Sequence, residues 1–251
     1  MTREYARLFS IIMLNNRIGF LWYLIFPLAA FFVYNYNWLV SKPDLHSFYF
    51  HTSIFTSYIT FAMSIDVTTS LIGMRENGFL KMFKFVSGTK YPIIFGKILS
   101  QQVFIITAIF IFSFVISLFV LQDYKGILSF VISSIISSLC GAIPITFFFL
   151  SLMLFSIKQD SLFAIINILM FVFLVLTATN FSQSVSWGIL FLYLNPLELA
   201  RGINLMITGL LSGQTFNTFG LEAVIGGVGI YFVIGLISMK FARYVSFTNR
   251  T

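Results

Sequence analysis

An all-α integral membrane domain of six transmembrane helices is the fold the sequence predicts, and three observations lead to it. Of 251 residues, 59% are hydrophobic, 19% aromatic and only 9% charged, with a mean hydropathy of +0.96. A soluble domain is about a quarter charged, so this chain has too little polar surface to cover a globule in water. Second, six stretches approach the roughly 20 apolar residues that cross a bilayer: about 20–40, 48–73, 93–121, 127–156, 162–181 and 219–239. They are continuously apolar rather than alternating, which excludes a membrane β-barrel.

The third observation is the placement of the cations. With both termini cytoplasmic, the inner side carries Arg3, Arg7, Arg17, Arg75, Lys81, Lys84, Lys90, Lys97, Lys158, Lys240, Arg243 and Arg250. Only Lys42, Lys125 and Arg201 of the 15 Lys and Arg then lie outside. Positive charge resists translocation, so this asymmetry orients the chain. The pI near 9.6 accordingly reports orientation and not a nucleic-acid partner.

Residues 1–19 form the first element, an interfacial helix. Tyr5, Leu8, Phe9, Ile12 and Met13 recur at three- and four-residue spacing while Arg3, Glu4 and Arg7 avoid that stripe. Such a helix lies in the plane of the membrane surface. The rival, a cleaved signal peptide ending near Phe26-Pro27-Leu28-Ala29-Ala30, is disfavoured by the long polar lead and the apolar run that continues past it.

Span two carries a polar stripe of Thr52, Thr56, Met63, Asp66 and Ser70, broken by Ile59, opposite Ile54, Tyr58, Phe61, Ile65, Thr68 and Ile72. An intramembrane carboxylate faces an interior or a water path. Asp66 therefore either borders a cavity or sits near the inner headgroups, about two turns from Arg75.

The segment 74–92 that follows, together with Lys97, holds five cations, Arg75, Lys81, Lys84, Lys90 and Lys97, against one anion, Glu76. Within it Phe79, Met82, Phe83 and Val86 share a helical face, and Gly88 is placed to end the helix in the left-handed conformation. A short amphipathic helix of this kind suits either a groove on a soluble partner or the surface of anionic lipid.

Spans three and four are joined by the turn Gln122-Asp123-Tyr124-Lys125-Gly126. Span four repeats small residues at four-residue spacing, Ser133, Ser134, Ser137, Ser138, Gly141 and Ala142, which let helices approach closely. Packing inside one subunit is the expected use, ahead of a subunit interface. The single cysteine, Cys140, cannot make a disulfide within the chain and reads as core packing, and His46 and His51 read as interfacial or loop residues. Span five contributes Asn167, then Thr177, Thr179 and Asn180, which either line a path or bond neighbouring helices.

Residues 182–217 are neither a span nor a simple loop. Trp187, Phe191, Leu192 and Tyr193 precede Asn195-Pro196-Leu197-Glu198, where an Asn cap, Pro at the first helical position and Glu three residues after the cap start a helix. With Glu198 and Arg201 on it, this helix is too charged for a full span. Two short helices re-entering the outer leaflet are expected, with Asn217 external and Lys90 internal.

No G-x-x-x-x-G-K-[ST] phosphate loop, no H-E-x-x-H and no nucleophile–base set occurs, so the chain is not expected to be an enzyme. Arg75-Glu76-x-Gly78-x-Leu80, then Tyr91 and Gly96-Lys97 entering the next span, with Asn195-Pro196-Leu197 before the last, resembles the permease subunits of type-2 ATP-binding-cassette exporters. Within that family it resembles peptide-toxin exporters such as the phenol-soluble modulin exporters of staphylococci. Many members have Pro just after the coupling helix, where this chain has Ser87-Gly88.

The resemblance implies a half-transporter in a bacterial cytoplasmic membrane, paired with a second copy or a paralogous permease. Separate ATPase subunits would hold ATP and Mg. It implies that Arg75, Glu76, Gly78, Phe79, Lys81, Met82, Phe83 and Lys84 bear on the ATPase. Thr56, Met63, Asp66 and Asn167 would bear on an amphipathic, peptide or lipid-like cargo, and Asn195, Pro196, Glu198 and Arg201 would shape the external segment. Two alternatives stand beside it: a secondary transporter using Asp66, disfavoured by the lack of an internal repeat, and a bacteriocin-immunity or peptide-resistance permease.

Overall fold

The computed structural model describes residues 1–15, 17–121, 123–180, 188–216 and 219–242, and these form helices joined by short turns and loops, with no strand. Trp187, Asn217, Arg243, Arg250 and the side chain of Arg17 lie outside the described residues. In chain order the helices are α1 (Thr2–Asn15), α2 (Arg17–Tyr34), α3 (Leu45–Glu76), α4 (Phe79–Ser87), α5 (Tyr91–Val120) and α6 (Tyr124–Phe149). Then come α7 (Gln159–Ala178), α8 (Gly188–Leu194), α9 (Pro196–Ser212) and α10 (Leu221–Phe241). A 3-10 turn, Leu150–Leu154, extends α6.

Caps explain most of the boundaries. The Asp44 carboxylate accepts from Ser47 N–H at the start of α3, and Asp123 accepts from Lys125 and Gly126 N–H at the start of α6. Each satisfies backbone donors that the first helical turn leaves open. Gly213, at φ 70°, closes α9 in the left-handed region.

Among the described residues, four helices are long and apolar enough to cross a membrane: α5, α6 with its 3-10 extension, α7 and α10. The bent pair α1–α2, whose axes differ by 69°, makes a fifth if counted as one span. These features are compatible with a multi-pass membrane protein.

The stretch read as span two differs from that expectation. Its helix, α3, is 32 residues, about 48 Å at 1.5 Å per residue, but it is not apolar enough to qualify as a span. The reason is its position. α3 packs against α2, α5, α6, α7 and α9, and its hydroxyls are buried among them.

Four of those hydroxyls are bonded in series within the helix. Thr52 donates to Phe48 O, Thr56 to Thr52 O, Thr60 to Thr56 O and Ser64 to Thr60 O, all at 2.6–3.0 Å. A hydroxyl bonded to the carbonyl one turn back costs little to bury, so α3 serves as the bundle's central post despite its polar composition. In its first half Phe48 shares a cluster with Phe31, Ile109 and Phe112, and in its second half Ile65 and Leu71 share one with Ile145 and Leu199.

The small-residue stripe of α6 works inside the chain. Gly141 faces Ala200 of α9 and Thr60 of α3, and Asn204 on α9 donates to Ser137 Oγ at 2.6 Å. Cys140, next to this stripe in sequence, points the other way and is exposed, contrary to its reading as core packing. The small residues Ser137 and Gly141 lie on the face of α6 that meets α9. His46 stacks on Phe216, while His51 is half-buried against Trp38.

Candidate functional site

Two polar constellations stand at opposite ends of α3, and a third lies between them. At the C-terminal end, α4 is a nine-residue helix flanked by Gly78 (φ 75°) and Gly88 (φ 72°). Both glycines lie in the left-handed region, so the chain can turn sharply into and out of the helix. Leu80 is buried beneath α4. Its outer side presents Phe79, Met82, Val86 and Phe85, the last 91% exposed. A shallow groove of about 690 Å³ runs there, lined by Lys81, Met82, Lys84 and Phe85 between the two glycines.

This surface departs in one residue from the ridge expected of the sequence. Phe83 turns inward and meets Tyr5 and Phe9 of α1 at ring-centroid distances of 5.6 and 6.5 Å. Tyr5 Oη also donates to Phe83 O at 3.1 Å. Phe85 takes the outer position instead. The wheel that groups Phe79, Met82, Phe83 and Val86 places Phe83 at its edge, and contact with α1 decides which way that edge faces.

Arg75 and Glu76 are engaged within the chain. The buried Arg75 guanidinium donates to the carbonyls of Met153, Phe155 and Ile157, at 3.0, 3.0 and 3.1 Å. These are acceptors left open where the helical ladder ends after α6. Glu76 Oε1 accepts from Gln159 N–H at 2.9 Å, capping α7. The pair thus ties α3 to the α6–α7 connection, and a planar fork of donors suits that task better than an ammonium would. Lys90 Nζ similarly donates to Lys240 O at 2.8 Å, linking the start of α5 to the end of α10.

At the other end, Asn195 caps α9: its Oδ1 accepts from Leu197 N–H at 3.1 Å, and Pro196 takes the first position. The capping box is half-formed, because Asn195 N–H bonds Phe191 O at 2.9 Å and Glu198 turns elsewhere. Arg201 is 1% exposed. It donates to Thr177 O (3.0 Å), Asn180 Oδ1 (2.8 Å) and Ser53 Oγ (3.3 Å), and lies 4.4 Å from the Phe50 ring centroid. Glu198 is 4.0 Å away, one turn earlier on the same helix. Asn195 Nδ2 donates to Thr177 Oγ1 at 3.0 Å. Thr177 and Asn180 therefore bond neighbouring helices, the second of their two sequence readings.

Between these ends, Asp66 Oδ2 lies 3.6 Å from Lys97 Nζ, with side-chain exposures of 26% and 4%. Lys97 also sits 6.0 Å from the Phe9 ring centroid. The other residues assigned to a cargo route do not join Asp66 on one surface. Thr56 and Met63 are wholly buried in the bundle, and Asn167 is exposed on α7. Among the described residues no group of three or more His, Cys, Asp and Glu is placed to hold a metal ion.

No protein-family model, curated protein or solved structure matches this chain.

Proposed function

We propose that this chain is the membrane subunit of an ATP-driven exporter, with ATP and Mg bound on a separate ATPase that docks on α4. The observation that carries the reading is α4 itself: an exposed apolar surface beside Lys81 and Lys84, attached to the bundle at several points. α1 holds it through Phe83, and Arg75 and Glu76 anchor the end of α3 just before it to the α6–α7 connection. A push on such a helix reaches several elements at once, which a site that transmits work requires.

In this reading α3 is a sixth, protein-enclosed span beside the α1–α2 pair and the four apolar helices. Both termini are cytoplasmic, and α8–α9 is an external re-entrant pair. Two such subunits, alike or paralogous, enclose the route. Its apolar, Phe-rich walls suit an amphipathic peptide or a lipid-like cargo, since a charged cargo would leave water without partners.

Replacing Phe79 and Phe85 together by Asp is expected to abolish co-purification of the ATPase while the chain still inserts and remains helical. An ATPase recovered at undiminished yield would overturn the docking assignment. Phe83→Asp should instead destabilise the chain, because its ring packs on α1. For the orientation, single cysteines at the exposed Thr215 and Thr89 on a Cys140→Ser background should be labelled from opposite sides, Thr215 from outside. Labelling of both from one side would refute it.

A further inference from the structure

The bend between α1 and α2 creates a second site, independent of what docks on α4. α1 lies along α5, and Gly96 is what permits the contact: a side chain there would meet Tyr5 Cβ and the α1 backbone. α2 then departs at 69°. The wedge left between the three helices is a cleft of about 470 Å³, within the roughly 300–1,000 Å³ of small-molecule sites. Its walls include Met13 and Leu14 of α1, Phe20 and Leu21 of α2, and Val103 and Thr107 of α5.

The chemistry of the walls defines the occupant. Two hydroxyls reach the cleft, and both are already bonded to their own helices: Ser10 Oγ donates to Ala6 O and Thr107 Oγ1 to Val103 O, each at 2.9 Å. The cleft therefore suits an apolar chain and offers little to a polar cargo. Charge enters at one end. Positions 3, 7, 10 and 14 recur at four-, three- and four-residue spacing, so Arg3 and Arg7 share the helix face of Ser10 and Leu14. Both arginines are exposed, and Glu4 lies off that face. From Arg7 to Leu14 is about 10 Å along the axis, short enough for one molecule to reach both.

We propose that this cleft holds an anionic phospholipid, one acyl chain in the wedge and the phosphate at Arg3 and Arg7. A tail matches the apolar walls and a phosphate matches the two guanidinium groups, which bind such anions through paired donors. A cationic or neutral amphiphile would satisfy only the first condition.

The test is native mass spectrometry of the full chain, released from micelles containing phosphatidylglycerol or phosphatidylcholine with identical acyl chains. The wild type should retain one phosphatidylglycerol with a preference of roughly tenfold to thirtyfold, the gain expected of two cations near an anionic headgroup. Arg3→Gln/Arg7→Gln, at exposed positions, should reduce the preference to near unity while leaving some lipid bound. Val103→Trp/Thr107→Trp should fill the wedge and lose the bound lipid of either kind, with helicity by circular dichroism unchanged. Equal retention of the two lipids by the wild type, or a preference that survives both double variants, would overturn the proposal. So would displacement of the lipid by an amphipathic peptide at equimolar concentration, which would make the cleft a cargo site.

Discussion

Arg201→Ala is expected to lower the stability of the detergent-solubilised chain by about 3–5 kcal/mol, the range for removing one partner of a buried charge pair. The side chain is buried on every side and joins three helices. It donates to Thr177 and Asn180 at the end of α7, donates to Ser53 on α3, and lies over the Phe50 ring. Its loss would leave the buried Glu198 carboxylate without the cation beside it and the Thr177 carbonyl without this donor.

Arg201→Lys keeps the charge but cannot supply the fork that reaches Thr177, Asn180 and Ser53 together, so an intermediate loss is expected. Arg201→Met combined with Glu198→Gln should recover part of the loss, because neither buried charge then remains. Thermal unfolding followed by circular dichroism measures all three. A midpoint unchanged in Arg201→Ala would show that the Arg201 contacts add nothing to stability.

Asp66→Asn is expected to destabilise the chain, and Lys97→Met added to it should restore much of the loss. Lys97 is almost wholly buried and Asp66 is its carboxylate neighbour at 3.6 Å. Neutralising Asp66 strands a buried cation. Lys97→Met alone should cost less, because Asp66 keeps access to solvent through its 26% exposure. The double-mutant cycle should give a coupling of about 1–3 kcal/mol.

The same variants separate two mechanisms. An ATP-driven exporter in which the pair is structural keeps transport in the Asp66→Asn/Lys97→Met double variant once stability is restored. A carrier that protonates Asp66 loses transport in that variant, whatever its stability.

How much of this was legible beforehand depends on the range of the interaction. Helix ends rested on local signals: Asp44, Asp123, Asn195 and Gly88 stand where caps form, and each does so within three residues of chain. The apolar runs predicted α5, α6, α7 and α10 to within a few residues at most ends. A helix start at Pro196 was marked by the Asn-Pro-x-Glu signal, and α9 begins there.

The site was less legible. The family resemblance implied that Arg75 and Glu76 bear on an ATPase; the contacts they make within the chain are with the α6–α7 connection, about 80 residues away in sequence. Charge type and position in the chain are the same for both uses. Only the carbonyls of Met153, Phe155 and Ile157, left open where α6 ends, distinguish them. Phe83 and Phe85 differ in the same way, since both are aromatic residues on one short helix and α1 covers only one of them.

Composition and periodicity by themselves determined that this chain is a set of long helices with too little charge to live in water, with a basic, aromatic helix after residue 76. Those properties follow from the 3.6-residue repeat and from solvation, which each segment carries with it. Tertiary structure alone decided that α3 is the enclosed post, that Phe85 and not Phe83 faces outward, and that Arg75 and Arg201 bind their own chain. The reason is that an apolar face attracts any other apolar face, so pairing is chosen by shape and by the few polar groups that must find partners. Those partners lie tens of residues away, where no local pattern reaches.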